Sequence, residues 1–490
     1  MGVAIVFDGA KAYFSLMLDS AQKDPSLFIP PAPEPRIVPE SDGPRPQGYL
    51  RYFRIMTSNP LEVWTQRHFT ETFAAGRLMG QHYTVVHDPE LIRYFLVTNA
   101  ENYALTHIRK LMFEPVLGSG LLVAEGDLWK RTRRALTPAF TPRHVSGFAP
   151  TMLRVAEQAA DNYASAKDKP IAVTSQMLGL ALDVLLACLF SDDVGVESSF
   201  DKQRFSQNLD RLLHLAGTPH PLDLIGAPRW APRLGRREAT RIVAEIRGQV
   251  SSLLVARRRR IADGGDPPND FLGLLINAGH DEGEPLSDQE IVDNLLTFLS
   301  AGHETTARTL AWTIYLLSKD ADVYESAARE VDGAGLSTVD PSNWPGALPF
   351  VTAVIKESMR LYPAASMLTR RAVADDMLGD ERIPANSQVV TSPWVLHRHR
   401  KLWENPDAFS PDRFMGARGD AIGRYSYIPF GAGPRVCIGA SFSMQEMVII
   451  MATMLGRFRF KHVGSLEPQP IMRITILPST PIDTIFTERT

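Results

Sequence analysis

Two short segments of the sequence bring together residue types that could do chemistry. The first, AGHETT at residues 301–306, interrupts an apolar run with a glycine, an acid and two hydroxyls. The second, FGAGPRVCIG at residues 430–439, places Cys437 between a glycine-rich loop and an apolar helical pattern. A thiolate at the start of a helix is favoured by the helix dipole and by free backbone N–H groups. The segments predict a buried acid–hydroxyl pair and an activated cysteine.

Several familiar sites are excluded by single positions. The zinc-protease pattern H-E-x-x-H needs a second histidine where Ala307 stands. A dinucleotide loop needs a third glycine where Val436 stands, and covalent haem attachment needs C-x-x-C-H, which is absent. A nucleophilic cysteine needs a base partner, and the sequence identifies none for Cys437. The glycines of this loop instead suit the close approach of a flat ligand, and Arg435 suits an anionic group on it.

A long helix must position the AGHETT segment. Ser287 and Glu290 form a capping-box pattern, and apolar residues then recur at helical spacing to about Ser318. A helix of that length spans roughly 45 Å, enough to cross a domain. The Thr305 hydroxyl lies one turn after the carbonyl of Ala301, so the sequence allows a local opening or bulge at this point.

The composition is that of a large soluble globular protein. The chain has 490 residues, of which 44% are hydrophobic, and a net charge of -3, so we expect no nucleic-acid partner. The basic run at residues 257–260 is interpreted as a solvated helix end, since cations suit the last turn of a helix. Two cysteines are too few for a disulfide framework or a four-cysteine iron–sulfur cluster, and Cys188 lies on an apolar pattern typical of the core.

The organisation along the chain indicates one domain after a lead-in. Residues 1–47 are predicted to form an extended, proline-rich lead-in, and residues 48–490 a single domain that is mainly α with a small β region. The strand patterns are QHYTVVHD, SQVVTSP and IMRITILPS. The proline- and glycine-rich segment 216–234 is predicted to be a lid. No secretory signal and no run of eighteen apolar residues occurs, so we expect a cytoplasmic protein without a membrane anchor.

Three further motifs complete an ordered set. Trp129 and Arg133 lie one helical turn apart, Glu357 and Arg360 share a helix face, and Arg413 follows in a PDRF segment. With AGHETT and the Cys437 loop, the chain from residue 48 onward resembles a cytochrome P-450, a haem-thiolate monooxygenase of the soluble bacterial type. The resemblance implies the P-450 fold, a helix-rich triangular prism with haem between the long central helix and the Cys-loop helix.

The resemblance also implies roles for these residues. Cys437 would be the axial thiolate ligand of the iron of haem b, favouring O–O bond cleavage. Glu304 and Thr305 would deliver protons, while Gly302 clears space for dioxygen and His303 is not an iron ligand. The residues implied in holding the haem are Trp129, Arg133, Arg370, Arg435, Phe430, Gly431 and, as a weaker candidate, His107. Glu357, Arg360 and Arg413 would form a structural triad.

The implied reaction inserts one oxygen atom of O2 into a C–H or C=C bond. The electrons would come from a separate ferredoxin and its NAD(P)H-dependent reductase, since no flavin, nicotinamide or iron–sulfur motif is present. Two alternatives remain: a peroxygenase driven by hydrogen peroxide, whose members usually lack the acid–alcohol pair, and a non-catalytic gas sensor, which should carry a regulatory or DNA-binding element.

The residues expected around the substrate are apolar and predict a hydrophobic substrate, such as a fatty acid, terpenoid, steroid or alkyl-aromatic, held loosely. A carboxylate anchor is not evident, although Arg229 and Arg233 near the lid keep that possibility open. The expected lining residues are Leu295, Phe298, Leu299, Ala301, Ala364, Ala365, Met367, Leu368 and the C-terminal segment ILPSTPI.

Overall fold

The computed structural model describes residues 27–33, 46–78, 80–166, 169–191, 193, 200–216, 235–266, 268–279 and 284–489. Most of these residues are helical, as predicted. The helices are α1 Pro46–Ser58, α2 Pro89–Arg93, α3 His107–Leu117, α4 Gly126–Leu136, α5 Pro142–Ser146, α6 Ala149–Ala164, α7 Val173–Phe190, α8 Lys202–Ala216, α9 Arg236–Ala262, α10 Phe271–Asn277, α11 Asp288–Lys319, α12 Ala321–Gly333, α13 Trp344–Ala347, α14 Pro349–Leu361, α15 Pro393–Leu396, α16 Gly416–Asp420 and α17 Ala440–Arg457.

The strands form four small sheets. They are β1 Phe73–Leu78, β2 Gln81–Val86, β3 Tyr103–Ala104, β4 Ile171–Ala172, β5 Leu368–Ala372, β6 Asp376–Leu378, β7 Glu381–Ile383, β8 Gln388–Thr391, β9 Phe458–His462, β10 Pro470–Met472, β11 Ile476–Pro478 and β12 Asp483–Glu488. The largest sheet has the order β1-β2-β8-β5-β3, in which β2 and β8 are parallel and the other pairs antiparallel. The other sheets are β4-β12-β9, β10-β11 and β6-β7. All three predicted strand patterns contain strands: the first two contain β2 and β8 of the five-stranded sheet, and the third contains all but the first residue of the hairpin β10-β11. A small β region is therefore confirmed.

Helix α11 has the predicted bounds and the predicted start. The backbone N–H of Ser287 donates to the Glu290 carboxylate at 2.9 Å, and the Glu290 N–H donates to the Ser287 hydroxyl at 3.3 Å. The Thr305 hydroxyl donates to the Ala301 carbonyl at 2.6 Å. Nevertheless, the helix remains α-helical from end to end, so the expected opening or bulge is wrong. The hydroxyl adds a bond to a carbonyl that already accepts one within the helix.

Helix α11 packs closely against α7. A Cβ placed on Gly302 would lie 3.2 Å from the methyl groups of Leu185, so this glycine permits the contact of the two helices. Among the described residues, α7 is the helix that is long and apolar enough to cross a membrane, and 61% of it is buried inside the protein. Cys188 on α7 is 1% exposed, and burial raises the pKa of its thiol well above the ordinary value, as expected for a core cysteine.

The basic run at the end of α9 is not a uniformly solvated helix end, which corrects the sequence interpretation. Arg257 is fully buried and donates to Asp193 at 2.6 Å and to Asp270 at 2.7 and 2.8 Å. The three arginines that follow it are exposed. A buried guanidinium needs such carboxylate partners to offset its desolvation. Arg257 therefore ties α9 to the end of α7 and the start of α10.

Part of the proline-rich lead-in contacts the domain. Residues 27–33 form neither helix nor strand, and α1 begins two residues before the predicted domain start at residue 48. The Phe28 carbonyl accepts the N–H of Phe409 at 2.9 Å, and the Pro31 carbonyl accepts the Tyr362 hydroxyl at 2.9 Å. The Tyr362 ring stacks on Trp312 of α11 with centroids 3.9 Å apart. Segment 27–33 is thus connected through Tyr362 to Trp312 of the central helix.

Several histidines are buried and held neutral. Burial lowers the pKa of His303 to about 4, and it lowers the pKa of His68 to about 4 with help from Arg67. The pKa values of His87 and His397, both fully buried, lie well below the ordinary value for the same reason. His303 lies on α11 but does not line the cavity described below.

These histidines predict acid destabilisation. Histidine in an unfolded chain has a pKa of about 6.5, so between about pH 6.5 and 4 the unfolded state binds protons that the folded state does not, and stability falls as the pH falls. Each fully buried histidine contributes roughly 1.4 kcal/mol per pH unit. The midpoint of urea unfolding should therefore drop between pH 7 and pH 5. A His303→Leu variant should show a shallower drop; a midpoint that is constant or higher at pH 5 contradicts the prediction.

Candidate active site

A cavity of about 1550 Å³ lies beside the middle of α11 and brings the two chemical segments together. It is bounded by α11, by α3 and α4, by the segment 364–371 and by the loop that precedes α17. Every predicted catalytic and cofactor-binding residue lines it. They are Glu304, Thr305, Cys437, Arg435, Trp129, Arg133, Arg370, His107, Gly431 and Phe430.

The loop before α17 presents Cys437 to this cavity. The Cys437 N–H donates to the Phe430 carbonyl at 2.9 Å, which closes the loop, and Gly431 and Gly433 both have φ of 74°. A Cβ on Gly433 would lie 1.8 Å from the carbonyl oxygen of Leu96, in the π-helical turn Tyr94–Thr98. Gly433 is therefore required by backbone packing and not, as the sequence suggested, by a ligand.

The thiol of Cys437 is accessible because it faces the cavity. Its surroundings nevertheless withdraw it from bulk solvent, and this desolvation raises its pKa. The backbone N–H of Gly439 and the positive charge of Arg133 act in the opposite direction. A cation bound in the cavity next to the sulfur would shift this balance toward the thiolate, as metals do.

Three arginines form a buried positive cluster on the cavity wall. Burial and the neighbouring guanidinium of Arg435 lower the pKa of Arg109 to about 10. Burial, Arg109 and Arg435 lower the pKa of Arg370 to about 9. Glu125 is the acid whose negative charge raises the pKa of all three arginines. It is already ion-paired with Lys110 and accepts the Leu105 N–H at 2.8 Å. The cluster therefore has more positive than negative charge, and it is complementary to an anionic group.

Two further predicted cofactor residues, Trp129 and Arg133, lie next to Arg435 of this cluster. The Arg435 guanidinium lies 4.5 Å from the centre of the Trp129 ring and donates to the Ala124 carbonyl at 2.9 Å. Burial lowers the pKa of Arg133, while the nearby Cys437 raises it. Sequence reasoning missed Arg109, whose buried Nε donates to no atom of the described residues. The sequence feature that could have identified Arg109 is its position two residues after His107.

This donor set fits haem, the cofactor implied by the resemblance. The cavity has a thiol on one wall, a hydroxyl and a carboxylate on α11, and a positive cluster at its edge. Haem needs an axial ligand for its iron, a flat apolar slot and cations for its two propionates. Arg109 and Arg370, with their unbalanced charge, would supply the cations, and Cys437 would supply the ligand.

The two residues of the acid–alcohol pair on α11, Thr305 and Glu304, differ in burial and in their hydrogen bonds. Thr305 exposes its hydroxyl to the cavity while donating to the Ala301 carbonyl. Glu304 is 5% exposed, and its Oε1 accepts the Thr475 hydroxyl at 2.9 Å and lies 3.5 Å from Arg308. Its Oε2 is buried and bonded to no atom of the described residues. Sequence reasoning did not identify Thr475 or Arg308 as partners of Glu304.

Glu357, Arg360 and Arg413 form the network that was predicted as a structural triad. Arg360 donates to both carboxylate oxygens of Glu357 at 2.7 and 2.8 Å, and Arg413 donates to Oε1 at 3.0 Å. Glu357 and Arg360 have no exposed surface. Burial alone would raise the pKa of Glu357, but the two guanidinium groups and the Ser410 N–H lower it below its ordinary value.

Arg360 also organises the chain that leads toward the Cys437 loop. Its Nη1 donates to the carbonyls of His397 and Pro406 at 2.7 and 2.6 Å, and its Nη2 donates to the carbonyl of Ala408 at 2.8 Å. Arg413 donates to the Glu404 and Asn405 carbonyls at 3.0 and 3.2 Å. Five backbone carbonyls thus depend on two side chains, which is the role of a scaffold.

The apolar wall of the cavity agrees with the sequence expectation in part. The predicted residues that line it are Phe298, Ala301, Ala364, Ala365, Met367 and Leu368. Leu295 and Leu299 do not line it, because they are fully buried on other faces of α11. The segment ILPSTPI does not line it either; the preceding turn, residues 472–475, does. Arg229, Arg233 and the predicted lid, except for residue 216, lie outside the described residues.

Comparison with known proteins agrees with this geometry. The Cytochrome P450 family profile matches residues 56–486. The chain is 32% identical to cyclooctatin synthase of Streptomyces melanosporofaciens over 80% of this chain and 83% of that protein. It is also 32% identical to cyclooctat-9-en-7-ol 5-monooxygenase of the same organism, over 71% and 74% of the two chains.

The fold comparison gives the same result. The crystal structure of the cytochrome P450DA heme domain has a TM-score of 0.78 and 26% sequence identity, and the match covers 95% of this chain and 98% of that one. A profile match over most of the chain, relatives above 30% identity and a shared fold agree with the cavity and its cysteine. The chain belongs to the cytochrome P450 family and is a haem-dependent monooxygenase that uses O2, an organic substrate and a redox partner.

Proposed function

We propose that this enzyme inserts one oxygen atom from O2 into a C–H or C=C bond of a hydrophobic substrate. The observation that carries the proposal is the position of the Glu304–Thr305 pair, which shares one largely apolar cavity with Cys437. An apolar cavity wall gains roughly 25 cal/mol for each Å² of apolar ligand surface that it buries. A proton-delivering pair is needed when O2 is activated, whereas hydrogen peroxide already carries its protons.

The cofactor of this proposal is haem b, and Cys437 would be the ligand of its iron. When bound, haem would supply the iron chemistry that activates dioxygen, and Cys437 would supply it with a thiolate ligand. Arg109, Arg370 and Arg435 would hold the propionates, with Trp129 and Arg133 beside them. His107, Phe430 and Gly431 line the same wall. The cations would also neutralise charge that is otherwise costly to bury.

Within this proposal, Thr305 and Glu304 move protons. When the Thr305 hydroxyl rotates away from the Ala301 carbonyl, it can donate its one proton into the cavity and accept a replacement, because an O–H group is both donor and acceptor. Glu304 holds one oxygen toward Thr475 and keeps the other uncommitted, so it can pass protons from the protein interior. Glu357, Arg360 and Arg413 take no part in the chemistry and maintain the loop geometry.

The electrons are proposed to come from a ferredoxin and its NAD(P)H-dependent reductase. Two cysteines, one of them in the core, are too few for an iron–sulfur cluster within these residues. We further propose a cytoplasmic location without a membrane anchor, and a single haem-binding domain over residues 48–490 that follows the lead-in 1–47. These proposals rest on the sequence patterns described above.

The proposed reaction is tested with purified holoenzyme, a bacterial ferredoxin, its reductase, NADH and a panel of hydrophobic substrates. Under 18O-labelled O2, one labelled oxygen atom should enter the product, and product formation should depend on NADH. Product formed from hydrogen peroxide at an equal or higher rate, with no dependence on NADH, would identify a peroxygenase instead.

The assignment of Cys437 predicts a spectroscopic result. The reduced, CO-bound wild-type protein should show the red-shifted Soret band of thiolate-ligated haem, and Cys437→Ser should lose that band because a serine hydroxyl is a poor ligand at neutral pH. Cys188→Ala is the matched control: it removes the other cysteine, buried in α7, and should retain the band. Retention of the band in Cys437→Ser contradicts the assignment.

A further inference from the structure

Arg473 is a cation of the cavity wall that the proposed reaction does not use. It lies in the turn between β10 and β11, and this turn lines the cavity together with α1 and the segment 364–371. Arg473 is partly buried, and desolvation lowers its pKa. Arg109, Arg370 and Arg435 of the positive cluster instead lie on α3, on β5 and in the loop before α17.

The backbone around Arg473 is firmly held. The buried Asn59 side chain donates to the Pro470 carbonyl at 3.0 Å and accepts the Met472 N–H at 3.0 Å, which fixes β10 against the end of α1. The Arg473 Nη1 donates to the carbonyls of Ser58 and Met472, both at 2.8 Å. Its orientation is therefore set before any ligand binds, which lowers the entropy cost of binding.

The remaining donors of Arg473 are uncommitted. A guanidinium has five N–H donors, and Nε and Nη2 donate to no atom in the part of the chain that the structure describes. Nor does any carboxylate of the described residues contribute to the pKa shift of Arg473, whose cause is desolvation. Nε and one N–H of Nη2 form the edge of a guanidinium that binds a carboxylate with two parallel hydrogen bonds.

We infer that Arg473 binds the carboxylate of an amphiphilic substrate whose apolar body fills the cavity. The inference rests on the proposed monooxygenase function and specifies its substrate class. The cavity lining includes Met472 and Ile474, which precede and follow Arg473, and Met56 of α1, and all three are apolar. A fixed cation beside apolar side chains distinguishes an anionic, apolar molecule from a neutral one of the same shape.

This anchor would also restrict where the substrate is oxidised. Thr475 lies two residues after Arg473 and its hydroxyl contacts Glu304 on α11. Two residues of chain span at most about 7 Å, so the backbone of Arg473 lies near the residue that contacts Glu304. Oxidation should therefore occur at a fixed distance from the carboxylate, unlike the loose binding that the apolar sequence pattern suggested.

The test compares three acids with their methyl esters: dodecanoic acid, abietic acid and lithocholic acid. Isothermal titration calorimetry on the holoenzyme measures each dissociation constant, whether or not the Soret band moves. We expect at least one acid to bind about tenfold or more tightly than its ester, as one charge-assisted contact allows. Arg473→Gln should remove that preference, and Arg473→Lys should retain part of it.

The matched control is Arg77→Gln, which removes an exposed arginine of β1 that lines the same cavity. It should leave the preference for the acid unchanged. The inference is overturned if no acid binds more tightly than its ester, if Arg473→Gln keeps the preference, or if Arg77→Gln removes it. The CO spectrum of each variant verifies folding and haem loading, and it tests the proposed function separately: a normal spectrum with equal binding of acid and ester refutes only the anchor.

Discussion

Replacing Thr305 by alanine is expected to separate electron consumption from product formation. The hydroxyl faces the cavity and donates to the Ala301 carbonyl, so alanine removes a proton donor without removing any haem-binding side chain. General acid assistance is worth about 10²–10⁴-fold in rate. We expect the rate of product formation to decrease by a factor within that range, while NADH consumption continues and hydrogen peroxide is released.

The control for this experiment lies one turn along the same helix. Thr309 also lines the cavity, and its hydroxyl donates to the Thr305 carbonyl at 3.0 Å. Thr309→Ala removes an equivalent hydroxyl and should keep most of the product yield. Thr305→Ser should recover much of the wild-type yield. An unchanged amount of product per NADH in Thr305→Ala would remove Thr305 from proton delivery.

Replacing Arg360 by alanine is expected to prevent the formation of a stable holoenzyme. The change leaves the fully buried Glu357 with Arg413 as its remaining cation and leaves three backbone carbonyls without their donor. Removing one partner of a buried ion pair costs roughly 3–5 kcal/mol, a large part of the net stability of a typical protein. We expect apoprotein or aggregate, measured as the ratio of haem to protein after purification.

An exposed ion pair provides the comparison. Arg382 pairs with Asp375 at 2.8 Å, and their side chains are 73% and 55% exposed. Such pairs contribute about 0–1 kcal/mol, so Arg382→Ala should yield normal holoenzyme. Isolation of Arg360→Ala as a normally folded, haem-loaded protein with the wild-type melting temperature would contradict the scaffold role of the triad.

The features predicted correctly from the sequence are those with local causes. The start of α11 depends on Ser287 and Glu290, three residues apart, and the Cys437 loop depends on a run of ten residues. The strands at Gln81–Val86 and Gln388–Thr391 follow from their branched residues. Such patterns do not require knowledge of which element lies opposite.

The predictions that were wrong concern residues whose surroundings are set by distant parts of the chain. Leu295 and Leu299 share the apolar character of Phe298, but only the packing of other helices shows which face of α11 meets the cavity. Arg257 looked like its exposed neighbours because its partners Asp193 and Asp270 come from other segments. Long-range contacts of this kind leave no periodic signal in the sequence.

Arg109 was missed for the same reason. Its relevance comes from Arg370 and Arg435, which belong to distant parts of the chain and share its region of the cavity wall. A lone arginine in a helical segment is normally a solvated surface residue. The unbalanced charge of the cluster appears only when the three side chains are placed in one structure.

The contact of the lead-in with Tyr362 has a consequence for synthesis of the protein. Pro31 and Tyr362 are 331 positions apart, so the N-terminal segment leaves the ribosome long before its partner exists. At roughly 5–20 residues per second, the delay is about 17 to 66 seconds. During that interval the apolar side chains of the segment have no binding surface, and chaperones can reach them. Segment 27–33 is thus translated early, but it cannot reach its final position until Tyr362 and Phe409 have been made.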